Sequence, residues 1–294
     1  MYNLEQLRMF VETAKLGSFS ACARQLGKVQ SAVSQGIANL EIDLDRQLFD
    51  RSTRKPSLTP EGERLLGHAQ AILLQIDELD SAVQAMGRQE EALIRLEVDS
   101  ALLLPNLFVI LDKFEKRFPA TDIQLVSSTS LDVFESVEQD KADIGLAFVE
   151  FGFKREVELG YIGGLDFHPV CHPQHPLAQL NEINAAELLL HRQVMTRSTK
   201  GNAPTQLPLL SAKAWYCNTY TGIQSLVDKQ LGWAYLPAYL VDQNIQQGKL
   251  KKIKFTFDHK PWVLSIEMIR QKNTVMGPAQ IWLYDELKQL LNHH

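Results

Sequence analysis

Gly17-Ser18-Phe19-Ser20-Ala21, Gln30-Ser31-Ala32-Val33-Ser34-Gln35 and Leu48-Phe49-Asp50-Arg51-Ser52-Thr53-Arg54 are the stretches that decide the fold of this 294-residue chain. Ahead of them, Leu4, Leu7, Phe10, Val11 and Ala14 recur at three- and four-residue steps, so a first helix has one apolar face. Gly17 ends it, because glycine accepts a left-handed cap. Ser18 or Ser20 caps a second helix that buries Ala21, Ala23 and Leu26, and Gly27 makes the turn. A third helix runs from about Ser31 to Leu44, with Ala32, Val33, Ile37, Leu40 and Leu44 inward. Ala21 and Ala32 are the small residues expected where the second and third helices approach.

Two short helices at this spacing make a helix-turn-helix. The outward N-terminal residues of its third helix, Gln30, Ser31, Ser34 and Gln35, have the short polar chemistry that meets base edges and phosphates. Ala32 sits among them, and all five are candidate DNA contacts. After Leu44 the run Leu48 to Leu58 reads as a two-stranded wing. Arg54, with Thr53, lies at its tip and suits a narrow A·T-rich minor groove. Arg51 fits either a phosphate or an internal acidic partner. Three amphipathic helices alone would make only a small bundle; here spacing, wing and following helix agree with one another.

The segment resembles the winged helix-turn-helix of the LysR-type transcriptional regulators. The match is carried by Phe10, Ala14, Gly17-Ser18-Phe19-Ser20, Ala23, Leu26, Gln30-Ser31-Ala32-Val33-Ser34, Ile37, Leu40-Glu41, Leu44, Leu48-Phe49, Arg51, Arg54, Leu58-Thr59 and Gly62. Three positions depart from the family pattern. Cys22 stands where alanine is usual, Gln35 stands where arginine is common, and Gly36 lies inside the helix at a cost of about 1 kcal/mol relative to alanine. For Gly36 the sequence offers only close approach to DNA or to a neighbouring helix.

Thr59 as N-cap and Pro60 at the first helical position start a long helix. Leu65, Ala69, Ile72, Ile76, Leu79, Val83 and Met86 then alternate at steps of four and three, a coiled-coil seam. Such a seam is expected to pair with a second copy rather than with its own small head, and the resemblance implies the same dimerisation helix. Two heads on two half-sites gain avidity.

Gly87 to Glu91 is a polar break, and strands then alternate with helices. Leu93–Val98, Ile123–Val126 and Ala142–Val149 read as strands, and Leu102–Arg117 and Leu131–Gln139 as helices. A second set reads as strands at Phe167–Cys171, Gln193–Thr196, Lys213–Cys217 and Gly232–Pro237, with a helix at Thr221–Lys229. Trp262–Ile269 is a final strand and Pro278 to about Leu291 a final helix. The alternation predicts a mostly parallel sheet with helices on both faces. Leu104-Pro105, Phe118-Pro119, Ala142–Phe148, His175–Ala178 and Gly232–Pro237 resemble the same family's effector domain. That resemblance implies a periplasmic-binding-protein-like domain of two α/β subdomains, crossed near 161–164 and 262–268. The expected class is thus a multidomain α+β chain. Residues 1–58 form the winged helix-turn-helix, 59–88 the linker helix and 89–294 the effector domain. Subdomain I takes 91–162 and 268–294, and subdomain II takes 163–267.

Ligands in such folds sit at the carboxyl ends of strands, in the cleft between subdomains. That rule selects Ser100 and Ala101, then Ser127-Ser128-Thr129-Ser130, then Phe148-Val149. From the other subdomain it selects Thr196-Arg197-Ser198 and Thr219-Tyr220-Thr221. Hydroxyls and helix N-termini suit an anionic group, and Arg197 supplies the opposite charge. The plainer reading of each serine or threonine is a helix cap.

The remaining chemistry is sparse. His168, Cys171, His172 and His175 approach metal-ligand spacing. Alternation along a strand and the prolines Pro169, Pro173 and Pro176 oppose a site, so no metal and no cofactor is expected. No nucleophile elbow, phosphate-binding glycine loop or catalytic triad pattern is present, so no catalytic residue is expected. Cys22, Cys171 and Cys217 form no paired framework. An oxidation switch at Cys171 or Cys217 is the rival reading, and a solute-binding receptor a weaker one.

Hydrophobic content of 45% and charged content of 22% are those of an ordinary globular protein. No signal peptide or membrane-length apolar run is evident, so a cytoplasmic protein is expected. Net charge is −5, yet the first sixty residues carry eight Lys/Arg against six Asp/Glu. DNA binding therefore rests on local placement and on oligomer avidity. The expected partners are promoter DNA, a small effector, one or three further copies of the chain, and RNA polymerase.

Overall fold

The computed structural model describes residues 2–52, 56–148, 156–199, 206–272 and 274–292. They divide into two compact units, Met1–Gly87 and Arg88–His294.

In the first unit, α1 (Leu4–Leu16) opens with a reciprocal capping box between Asn3 and Gln6. It closes at Gly17, whose φ of 60° is the left-handed region that favours glycine. Ser18 caps α2 (Phe19–Gln25), its hydroxyl accepting from the Ala21 N–H at 3.3 Å. Next come α3 (Gln30–Leu44), the two-residue strands β1 (Phe49–Asp50) and β2 (Ser57–Leu58), and α4 (Pro60–Gly87). β1 and β2 are antiparallel, with Phe49 opposite Leu58. Leu7, Phe10, Val33, Ile37, Leu40 and Leu48 form the core, and Phe49 meets Phe10 and Phe19 edge-on at 5.7 and 5.6 Å.

Two expectations change here. Leu4 is exposed rather than part of the buried face of α1, where Met9 and Thr13 take its place. Ala32 is exposed, and the small residue fully buried beside α1 is Cys22, whose thiol donates to the Met9 carbonyl. The small side chains therefore do not meet as Ala21 on Ala32. Gly36 has a packing reason: a Cβ there would collide with the Met9 sulfur, so α3 lies hard against α1.

The second unit is built on a mixed sheet. β3 (Leu93–Asp99) runs parallel to β4 (Asp122–Ser128) and to β5 (Ile144–Phe148). Between them come α5 (Pro105–Arg117) and α6 (Ser130–Glu138). β6 (Val157–Cys171) then traverses the unit. α7 (Ala185–Leu190), β7 (Gln193–Thr196), β8 (Ala214–Cys217), α8 (Tyr220–Asp228), β9 (Ala234–Pro237), α9 (Ala238–Gln246) and β10 (Lys251–Lys252) follow. β11 (Trp262–Gln271) returns, and α10 (Pro278–Leu287) closes the chain against α5. The sheet order is β10-β6-β11-β5-β3-β4, with β9 also on β6, while β7 and β8 pair in parallel apart from it.

The mostly parallel sheet is corrected. β6 and β11 are antiparallel to each other, and β11 is antiparallel to β5. One strand leaves the first α/β layer and another comes back, so the two must run in opposite directions. Their register shifts between Ile266 and Glu267, beside Gly163 at φ 139°. There the strands pass from one subdomain to the other. The apolar core is continuous, from Ile94 and Leu96 through Phe167 to Trp233 and Leu236.

Candidate functional site

On α3 one face is shut and the other is open. Val33, Ile37 and Leu40 are fully buried, whereas Gln30, Ser31, Ala32 and Gln35 are exposed and Ser34 is half-buried. The N-cap of α3 is Val29, with no side-chain cap. The first N–H groups of the helix are left for an outside acceptor. Gln30 Oε1 accepts from the Ser20 hydroxyl at 2.7 Å, and Gln35 Nε2 donates to Asn39 Oδ1 at 2.9 Å. Ser20 and Asn39 thus orient the two glutamines. In the sequence Ser20 stood out only as a possible cap, and Asn39, one helical turn beyond Gln35, not at all.

Arg51 has the internal partner. It donates to Glu41 Oε2 at 2.8 Å and lies over the Phe19 ring, 5.4 Å from its centroid. Glu41 Oε1 also accepts from the Leu48 and Phe49 N–H groups at 2.8 and 3.1 Å. One carboxylate thereby pins the start of the wing to α3. Thr53 and Arg54 lie outside the described residues.

The seam of α4 divides. Leu65 and Ala69 pack into the core of the head, contrary to the expectation that the head leaves the seam bare. Ile76 is half-buried, and Ile72, Leu79, Val83 and Met86 are exposed.

In the second unit, the residues chosen at the strand ends fall into three groups. Ser100, Phe148 and Thr196 converge on Tyr220. The Tyr220 N–H donates to Ser100 Oγ at 3.4 Å, and the Tyr220 side chain is hydrogen-bonded to Thr196. The rings of Phe148, Phe167 and Tyr220 stand edge to face in series, at 5.4 and 5.5 Å. Behind them Asp99 is buried, accepting from the Ala101 N–H at 2.9 Å and the Ser130 hydroxyl at 2.7 Å. Burial pushes its carboxyl up to about 6, against the pull of those bonds. Burial, then the Asp99 charge, raises the Tyr220 phenol and lifts Tyr239 to about 12. Ala101 is buried in the 3₁₀ turn Ser100–Leu102.

The second group is a clasp. Thr129 Oγ1 donates to Asp132 Oδ2 at 2.8 Å. The Thr199 N–H and hydroxyl donate to the two Asp132 oxygens, each at 3.2 Å. Nearby, Ser128 donates to Glu97 at 2.6 Å. The third group stands apart. Arg197 is exposed and stacks on Tyr216 at 4.2 Å, and Thr221 is exposed on α8, which Thr219 caps. Val149 lies outside the described residues.

Beside Thr196 and Tyr220 a cavity of about 10 Å³ remains, walled by Val194, Ile223 and Tyr235. Asp99, Asp132, Thr199 and Tyr239 went unnoticed in sequence. The one legible signal was Asp132, three residues after the capping residue Thr129.

The other candidates resolve structurally. His175 caps the 3₁₀ turn Pro176–Gln179, Nδ1 accepting from the Leu177 N–H at 3.2 Å, which accounts for the His-Pro-Leu-Ala run. Cys22, Cys171 and Cys217 are free. Burial pushes the Cys171 thiol up to about 12, away from the reactive thiolate.

Comparison with known proteins agrees with this arrangement. Residues 4–63 match the model of the bacterial regulatory helix-turn-helix proteins of the lysR family, and residues 87–292 that of the LysR substrate binding domain. The chain is 29% identical to the HTH-type transcriptional regulator AceR of Acinetobacter baumannii, over 97% of this chain and 96% of that protein. It is 26% identical to the probable HTH-type transcriptional regulator YhaJ of Escherichia coli, over 98% and 97%. Among solved structures, full-length BenM superposes with a TM-score of 0.53 at 21% identity, covering 98% of this chain and 96% of that one. CrgA from Neisseria meningitidis superposes at 0.51 and 23%, covering 99% and 100%. With a DNA-binding head and an effector-binding domain both matched over nearly their whole lengths, the chain belongs to the LysR family of bacterial transcriptional regulators.

Proposed function

We propose that this regulator reads a pseudo-palindromic promoter with Gln30, Ser31, Ala32, Ser34 and Gln35 of α3, and that Thr53 and Arg54 extend the contact through the wing. The observation that carries the reading is α3 itself: its inward face is fully buried while its uncapped N-terminal turn stands open. Arg51 contributes by holding the wing through Glu41. A second copy pairs along Ile72, Leu79 and Val83, giving a dimer or a tetramer, and RNA polymerase is the partner at the promoter. We assign the chain to the cytoplasm. Among the described residues no helix is long and apolar enough to cross a membrane.

A small effector enters between the subdomains, at Ser100, Thr129 and Thr196. Admission requires the Thr199–Asp132 clasp and the Tyr220–Ser100 bond to open, so the effector acts by favouring one of two arrangements. An anionic group is received by the hydroxyls and helix N-termini there, with Arg197 swinging from Tyr216. Asp99 and Asp132 oppose that charge.

The test is selection of bound genomic fragments by the full chain and by Gln35→Ala, over a salt series. Affinity is expected to fall linearly on a log–log plot with salt, and Gln35→Ala is expected to relax one base position in each half-site. Identical selected sequences for both proteins would refute the assignment. For the cleft, melting against small carboxylates and amines reads the effector. A ligand at a hundred times its dissociation constant adds about 2.7 kcal/mol of stability.

A further inference from the structure

Outside the cleft, a cavity of about 620 Å³ opens on the second unit. Its wall is shared between the subdomains. Leu104 and Val109 come from the start of α5, Leu165 from β6 just past the register shift, and Leu290 and Leu291 from the chain after α10. Tyr239 and Asp242 come from α9 on the other side, and Asp166 from β6. The floor is apolar, and its polar groups are the Asp166 and Asp242 carboxylates, the Asn106 and Asn292 amides and the Tyr239 hydroxyl. The Asp166 carboxylate is exposed and has no hydrogen bond or ion pair among the described residues. Among the described residues the Asp242 carboxylate pairs with His168 Nε2, at 3.4 Å. Asn106 spends its amide donors on the Gln289 and Leu290 carbonyls, at 3.2 and 2.9 Å, which leaves it an acceptor. No Lys, Arg or His side chain lines the cavity among the described residues. The ring of Tyr239 adds a face that attracts cations.

We infer that this cavity is a second ligand site, separate from the cleft, that takes an organic ammonium ion with an apolar body. The apolar part lies on Leu104, Val109 and Leu165, and the ammonium donates to Asp166. The site also has a lever on the domain. Leu291 lines it and at the same time packs on the bare Cα face of Gly163, where β6 crosses between the subdomains. A ligand that displaces Leu291 changes the packing at the crossing point, and so biases the same opening that the cleft effector requires.

The experiment is titration calorimetry of the full chain at pH 7 with 2-phenylethylamine. 3-Phenylpropionate serves as the charge-reversed control and 2-phenylethanol as the neutral one. Saturable binding of the amine is expected, at least about tenfold tighter than either control. Asp166→Asn weakens it about tenfold, and Val109→Trp, which fills the cavity from a half-exposed position, abolishes it. Sedimentation of both variants checks their assembly. Equal binding of amine and acid, or amine binding indifferent to both substitutions, overturns the assignment. A changed sedimentation coefficient for Val109→Trp with amine binding intact also overturns it, and makes the cavity a face between copies. None of these readings depends on what occupies the cleft.

Discussion

Asp132 on α6 and Thr199 after β7 are tied by two hydrogen bonds of 3.2 Å, from the Thr199 N–H and from its hydroxyl. The pair links the two subdomains at the mouth of a cleft that is otherwise held by Ser100 and Tyr220. Both residues are near solvent, so the link is weak enough to be reversible. A net hydrogen bond to a charged group contributes about 1.5–3 kcal/mol.

Asp132→Ala is therefore expected to open the cleft without unfolding the domain. Hydrogen exchange of the Thr199 amide should quicken about tenfold or more, the equivalent of about 1.4 kcal/mol, while amides in β3 and β5 keep their protection. Unchanged exchange at Thr199 would show that the clasp holds nothing.

Gly36→Ala places a methyl against the end of the buried Met9 side chain. The gain in helix propensity is about 1 kcal/mol, and overpacking costs about 1–3 kcal/mol. A net loss of about 1 kcal/mol is expected in urea unfolding of the head. In a Met9→Ala background the same Gly36→Ala change should stabilise by about 1 kcal/mol, because only the propensity remains. A loss of equal size in both backgrounds would remove the packing explanation.

Asp99 and His175 give opposite pH dependences. Burial raises the Asp99 carboxyl from 3.8 to about 6. Between about pH 4 and 6 the folded state holds a proton that the unfolded state releases, so this contribution falls as pH rises. Burial, with His191 and His172 nearby, lowers the His175 imidazole from 6.5 to about 4. There the unfolded state binds the extra proton, so this contribution rises with pH from about 4 to 6.5. Each amounts to about 3 kcal/mol at 1.36 kcal/mol per unit, and in the wild type they largely cancel. Asp99→Asn should make stability of the second unit climb from pH 4 to 6.5, and His175→Gln should make it decline. Parallel pH profiles for the two variants would contradict both environments.

Leu79 and Val83 are each more than half exposed on α4. Leu79→Arg with Val83→Arg is expected to lower the sedimenting mass by half or more. Affinity for a two-half-site promoter should fall about 10²–10⁴-fold, the avidity of two linked sites. A one-half-site fragment should be bound as before. A variant of undiminished mass would place the dimer contact elsewhere.

The head was legible because its signals are local. Gly17 and Ser18 act on N–H and carbonyl groups within a turn of themselves. The three- and four-residue spacing of Val33, Ile37 and Leu40 writes the buried stripe of α3 directly into the chain. So the open face with Gln30, Ser31 and Gln35 follows from the sequence, as do the start of α4 at Pro60, a strand beginning at Leu93 and the strand Gln193–Thr196.

Tertiary structure decided what depends on residues far apart. Arg51 meets Glu41 because the wing folds back on α3. Gly36 faces Met9, and the seam of α4 split because only the first half of that helix reaches the core of the head. The sheet became mixed because β6 and β11 cross between subdomains in opposite directions, which alternation of strands and helices does not encode. Asp132 found Thr199 across 67 positions of chain. Spacing sets the period and the caps of each element; which element lies opposite is a property of how the whole core closes.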